Sequence, residues 1–167
     1  MSFSITWLPK FKLSPTVDMT AANIAATTRP IMPAGNIFYY SITFDANATA
    51  AFTIGATDAT SQIAVGPTTP GAGNITNNSP FAQTFNPKIS SRAGTFAANA
   101  ADLVFNGLVS VGGGAATTSG RNTTIDGAMD VYLNGGVHAN GTDTSVAGFL
   151  TKNGSGTLTL SGANTYT

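Results

Sequence analysis

His138 is the only histidine of this 167-residue chain, and it stands in the run Gly135-Gly136-Val137-His138-Ala139-Asn140-Gly141. An imidazole that meets a serine and an aspartate makes a hydrolytic triad, and one that meets carboxylates can hold zinc, with Asp130 and Asp143 the nearest candidates. Neither reading has a local motif behind it. No G-x-S-x-G elbow occurs, because Gly154-Ser155-Gly156 is too short for one, and a lone histidine in a glycine-rich turn reads as a surface residue.

The acidic residues are Asp18, Asp45, Asp58, Asp102, Asp126, Asp130 and Asp143, with no glutamate among them. They are scattered. Asp126 and Asp130, if carried on one strand, would share a side at roughly 13 Å, beyond the separation at which two carboxylates cooperate on a glycosidic bond. The expected role is the Asx turn, in which the side chain caps backbone at a corner. Gly112-Gly113-Gly114-Ala115-Ala116 lacks the aspartate of a calcium-binding G-G-x-G-x-D repeat, which leaves Asp130, Asn134 and Asp143 as the candidate oxygen ligands of a lone ion. No P-loop lysine follows those glycines either. The chain implies no cofactor.

Such groups act only where a fold brings them together, and the composition narrows that fold. Charged residues make up 8% of the chain and the formal net charge is zero, so no basic face exists for nucleic acid or anionic lipid. Long-chain helix formers are scarce beside Gly, Ala, Thr, Ser and Asn, which favours an all-β chain. Hydrophobic residues reach 42%, with ten phenylalanines, too apolar for a disordered linker. Cysteine is absent, which excludes disulfides and thiolate metal sites. No apolar run is long enough for membrane insertion, and residues 1–12 lack the pattern of a secretory signal.

Phe44, Phe52, Ile63, Ile75, Phe85, Phe96 and Phe105 recur every eight to twelve residues in short apolar-polar alternations, and Val111, Ile125, Val131, Phe149 and Leu158 continue the series less evenly. Strands of about five residues joined by turns give that spacing. A sandwich and a solenoid both fit it. Glycines at Gly112 to Gly114, Gly135-Gly136 and Gly154/Gly156 are expected to supply positive φ at sharp corners. Residues 1–40 differ: Phe3, Ile5 and Trp7 alternate with Ser2, Ser4 and Thr6 as an amphipathic strand, and a short helical turn is expected within residues 16–28. This segment is expected to cap the domain formed by residues 41–167 or to be exchanged with a neighbouring subunit.

Near the C-terminus, Thr157-Leu158-Thr159-Leu160-Ser161 alternates strictly between glycines. The surrounding stretch resembles the autotransporter-associated β-strand repeat, a module of bacterial surface and secreted proteins with the spacing K-x-G-x-G-x-L-x-L-x-G-x-N-x-Y. Lys152, Gly154, Gly156, Leu158, Leu160, Gly162, Asn164 and Tyr166 occupy every position of it. Ser41-Ile42-Thr43-Phe44-Asp45, Ala51-Phe52-Thr53-Ile54-Gly55, Ile75-Thr76-Asn77-Asn78-Ser79 and Ala82-Gln83-Thr84-Phe85-Asn86 are similar to the segments that precede this motif. The resemblance implies a parallel β-helix, or β-solenoid, with an atypical N-terminal cap or exchanged strand.

The expected function is accordingly that of a non-enzymatic extracellular structural protein that assembles with copies of itself, by strand addition, into a filament or extended surface. Phe3, Ile5, Trp7, Leu158, Leu160 and Tyr166 are the candidate assembly residues. The rival expectation is an adhesin or passenger segment that binds glycans or host surfaces through Tyr39, Tyr40 and Tyr132. Ice binding through outward threonines such as Thr157/Thr159, and carbohydrate-active catalysis, are further alternatives. The threonine pairs do not recur at a fixed sequence period.

Overall fold

In strand after strand two apolar or amide side chains point inward and the residue between them outward. At Ile42-Thr43-Phe44 and Leu103-Val104-Phe105 the outer members of each triplet are buried and the central one is half-buried. Period-two burial of this kind lets every strand contribute one wall of a shared interior.

The computed structural model describes residues 17–19, 36–55, 61–66, 73–111, 121–139 and 148–165. In chain order these carry β1 (Val17–Met19) and β2 (Asn36–Tyr39), then β3 (Ile42–Phe44), β4 (Thr53–Ile54) and β5 (Gln62–Val65). The next winding is β6 (Ile75–Asn77), β7 (Gln83–Phe85) and β8 (Lys88–Ser91), followed by β9 (Gly94–Ala98), β10 (Leu103–Phe105) and β11 (Val109–Val111). The last two are β12 (Arg121–Asp126), β13 (Val131–Leu133) and β14 (Val137–His138), then β15 (Gly148–Lys152) and β16 (Leu158–Leu160).

Three sheets result: sheet I in the order β1-β3-β6-β9-β12-β15, sheet II in the order β4-β7-β10-β13-β16 and sheet III in the order β2-β5-β8-β11-β14. Every strand pairing is parallel. The chain visits sheets I, II and III in turn and then climbs one level, so the described residues form a three-faced parallel β-solenoid, without helix. The strand Val17–Met19 stands where a helical turn was expected, and β1 and β2 carry the ladders of sheets I and III upstream of residue 41.

All seven regularly spaced apolar residues, Phe44 through Phe105, lie in the interior. Phe85 and Phe105 stack at 5.0 Å between ring centroids, Phe105 and Phe96 at 5.1 Å, and Phe44 meets Phe85 edge-on at 5.8 Å. Each such ring removed from water contributes roughly 1.5–3 kcal/mol. Phe149 departs from the series: it points outward and is 53% exposed, whereas its neighbours Gly148 and Leu150 take the inward register.

The corners are held by polar ladders. Asn106 Nδ2 donates to Asn86 Oδ1 at 2.9 Å across a step of 20 residues, and Asn134 Nδ2 donates to Asn106 Oδ1 at 3.1 Å across a step of 28. Like residues thus stack although the windings differ in length. Inside, Asn77 and Gln83 are fully buried. Gln83 Oε1 accepts the Phe52 N–H at 2.8 Å and its Nε2 donates to Ser79 Oγ at 2.8 Å. Asn77 Nδ2 reaches the carbonyls of Phe81, Ala101 and Asp102 at 2.9 to 3.0 Å.

Glycine plays two parts at the corners. Gly136 has φ +91°, as expected, but Gly135, Gly154 and Gly156 do not have positive φ. Their requirement is room: a Cβ on Gly156 would lie 1.8 Å from the Met129 carbonyl oxygen of the winding below. Gly112 to Gly114 lie outside the described residues.

Candidate functional site

The most unusual surface is the last winding. β15 and β16 sit at the outer ends of sheets I and II and pair on one side only among the described residues. Leu150 lies over Thr123, Leu158 over Val131 and Leu160 over Leu133, so all three occupy inward registers. The residues beneath them are sealed, whereas Leu150, Leu158 and Leu160 remain half-buried. Among the described residues the interior therefore ends in an apolar rim flanked by two strand edges with open backbone groups.

Lys152 occupies the inward register above Ile125. A cation there could seal the end against a further strand, but the side chain is exposed and its Nζ donates to the Gly154 carbonyl. The charge is drawn to the corner between sheets I and II, and no described residue covers the outer side of the three half-buried leucines.

That corner also carries stacked aspartates. Asp130 donates its N–H to Asp102 Oδ1 at 3.1 Å, and Asp130 Oδ1 accepts the Thr157 N–H at 2.7 Å. Tyr132 donates its hydroxyl to Asp130 Oδ2 at 3.3 Å. The Thr157 backbone bond is the largest influence holding the Asp130 carboxyl below its usual range; hydrogen bonds from the side chains of Thr157 and Tyr132 and the Lys152 charge act in the same direction, against a partial desolvation. The negative charge of Asp130 is in turn the main cause that raises the Tyr132 hydroxyl. Both effects are those of a structural corner, with the carboxylate holding backbone as an Asx residue does.

Asp126 and Asp130 are not on one strand. Asp126 ends β12 and accepts the Gly127 N–H at 2.8 Å, and the turn through Met129 separates it from Asp130. Among the described residues no group of three His, Cys, Asp or Glu side chains is placed to hold a metal ion.

His138 lies on β14 in register with Ser110 of β11, both on the outward row of sheet III. Ser110 is 7% exposed and its Oγ has no hydrogen-bond partner among the described residues. Asp130 is engaged with Thr157 and Tyr132, and Asp143 lies outside the described residues, so this pair has no orienting carboxylate among the described residues. Of the three tyrosines expected to contact glycans, Tyr39 is half-buried at the end of β2, with burial raising its hydroxyl pKa, and Tyr40 is 41% exposed beside it. Tyr132 lies on sheet II, away from both. The structure does not gather them into one patch.

Of the residues expected to mediate assembly, Leu158 and Leu160 form part of the open rim, with Leu150 as a third member that sequence reasoning missed. Phe3, Ile5, Trp7 and Tyr166 lie outside the described residues.

Fold and site together define a parallel β-solenoid with polar corner ladders and, among the described residues, an apolar rim on its last winding. Comparison with protein-family models, curated proteins and solved structures finds no match.

Proposed function

We propose that this chain is a non-enzymatic structural module of an extracellular or cell-surface assembly, in which the last winding receives a winding from another copy. The observation that carries the proposal is the half-buried state of Leu150, Leu158 and Leu160 on inward registers. A docking strand would satisfy the open edges of β15 and β16 by β-augmentation and cover the rim, and a head-to-tail contact of that kind does not close on itself. The surface location is supported by the likeness of residues 152–166 to the autotransporter-associated repeat, a likeness carried by the same winding.

The test is light scattering and negative-stain microscopy over a concentration series. Concentration-dependent rods or filaments are expected, and Leu158→Lys with Leu160→Lys is expected to suppress them while circular dichroism remains that of a β-solenoid. Monomers alone at the highest concentration would reject the proposal.

A further inference from the structure

We propose that Asn153-Gly154 is a self-modification site, at which the last winding deamidates to aspartate and isoaspartate whatever the end of the solenoid docks with. Asparagine followed by glycine suits this chemistry because glycine has no side chain to hinder attack by its own backbone nitrogen. The chain holds four such pairs, beginning at Asn106, Asn134, Asn140 and Asn153. Asn140 lies outside the described residues. The other three differ in how their amides are held.

Asn106 is engaged at both ends of its amide: Nδ2 donates to Asn86 Oδ1 at 2.9 Å, and Oδ1 accepts from Asn134 Nδ2 at 3.1 Å. Asn134 is held by the second of those bonds. Cyclisation swings the side-chain carbonyl carbon onto the next backbone nitrogen, so either residue must first leave the corner ladder. Asn153 follows β15 on the last winding and is exposed, and its side chain makes no hydrogen bond among the described residues. Its backbone N–H donates to the Ile125 carbonyl at 2.9 Å, which anchors the peptide while the side chain stays free to turn. Lys152 Nζ donates to the Gly154 carbonyl, which sets a positive charge beside the nitrogen that must give up its proton.

In the step itself the Gly154 nitrogen loses its proton to water or hydroxide and attacks the Asn153 side-chain carbonyl carbon. The new C–N bond closes a cyclic imide, and Nδ2 leaves as ammonia, taking a proton back from the solvent. Water then opens the imide at one carbonyl or the other. One product is aspartate; the other is isoaspartate, whose main chain runs through the former side chain and is longer by a methylene. That insertion falls immediately before Gly154, where an added Cβ would lie 2.1 Å from the Gly127 carbonyl oxygen of the winding below. The lengthened corner loses this fit, and the end winding opens more readily.

The test incubates the folded chain at physiological temperature and mildly alkaline pH and follows each site by peptide mass spectrometry, beside a sample unfolded in urea. In the folded chain Asn153 is expected to react roughly tenfold faster than Asn106 and severalfold faster than Asn134, whereas in urea the three react at similar rates. Amide exchange over Leu158–Leu160 is expected to quicken as isoaspartate accumulates, and to stay at the level of fresh wild type in equally aged Asn153→Gln. Equal rates at the three sites in the folded chain, or an Asn153 that reacts only in urea, overturns the proposal. So does modified wild type whose exchange over Leu158–Leu160 matches that of fresh protein.

Discussion

Thr157 donates its backbone N–H to Asp130 Oδ1 at 2.7 Å, although 27 residues separate the two in the chain. The bond ties the last winding to the one below it, at the corner where the apolar rim begins. Asp130 is itself tied down by its N–H to Asp102.

The pH response of this corner follows from the direction of the Asp130 shift. Its carboxyl is held below the ordinary 3.8 of aspartate, chiefly by the Thr157 N–H. A depressed folded value means the ionised form is preferred in the native state, so its stabilising contribution is complete above 3.8 and disappears as pH falls through the lower folded value. The site faces water and the effect is correspondingly modest. Hydrogen exchange at the Thr157 amide is expected to show protection that declines on acidification through this window, after correction for intrinsic exchange. Asp130→Asn is expected to flatten that dependence. An unchanged pH profile in the variant would show that other groups control the winding.

The buried amide of Gln83 makes a separate prediction. It occupies an inward register beneath Leu103, where an apolar residue would be the default, and it joins the Phe52 N–H to Ser79 Oγ. Gln83→Leu keeps the bulk and removes these two bonds and the one that Nε2 donates to the Phe81 carbonyl at 3.0 Å, leaving a backbone donor, a hydroxyl and a carbonyl without this partner. The expected loss is about 2–4 kcal/mol in urea unfolding, with little change in the slope against denaturant. A neutral substitution would mean that the pocket relaxes or admits water.

How much of this was legible depends on whether the signal was local. The alternation around Phe44, Phe85 and Phe105 places each ring inward from its own strand alone. Gln83 was not legible as an inward residue, because Ala82-Gln83-Thr84-Phe85 reads as a polar run before a phenylalanine, and only the partners at Phe52 and Ser79 explain it. The stacking of Thr95, Thr124 and Thr151 in one outward column of sheet I escaped for a different reason. Equivalent corner residues are 21 apart at Asn78 and Asn99 but 28 apart at Asn106 and Asn134, so corner length masks a repeat that strand pairing restores. Phe149 shows the opposite case, since it continues the apolar series in the sequence while its register points it to solvent.

The glycines of the terminal winding were legible as corners, while their physical reason was not. Gly156 lies where the windings pass closest, and an added Cβ would meet the Met129 carbonyl oxygen at 1.8 Å and its carbonyl carbon at 2.4 Å. These are backbone atoms of the winding below, so relief requires one winding to move from the other. Gly156→Ala is therefore expected to cost about 1–3 kcal/mol locally, as overpacking does. Because an end winding can open while the rest stays folded, the loss should appear first as lost amide protection over Leu158–Leu160. Protection over Leu103–Phe105, two levels lower, should persist. Fluorescence or calorimetric melting of the whole chain should move less than the local exchange. If both segments lose protection together, the solenoid unfolds as one unit, and the half-buried leucines at its end are held by the same cooperativity as its core.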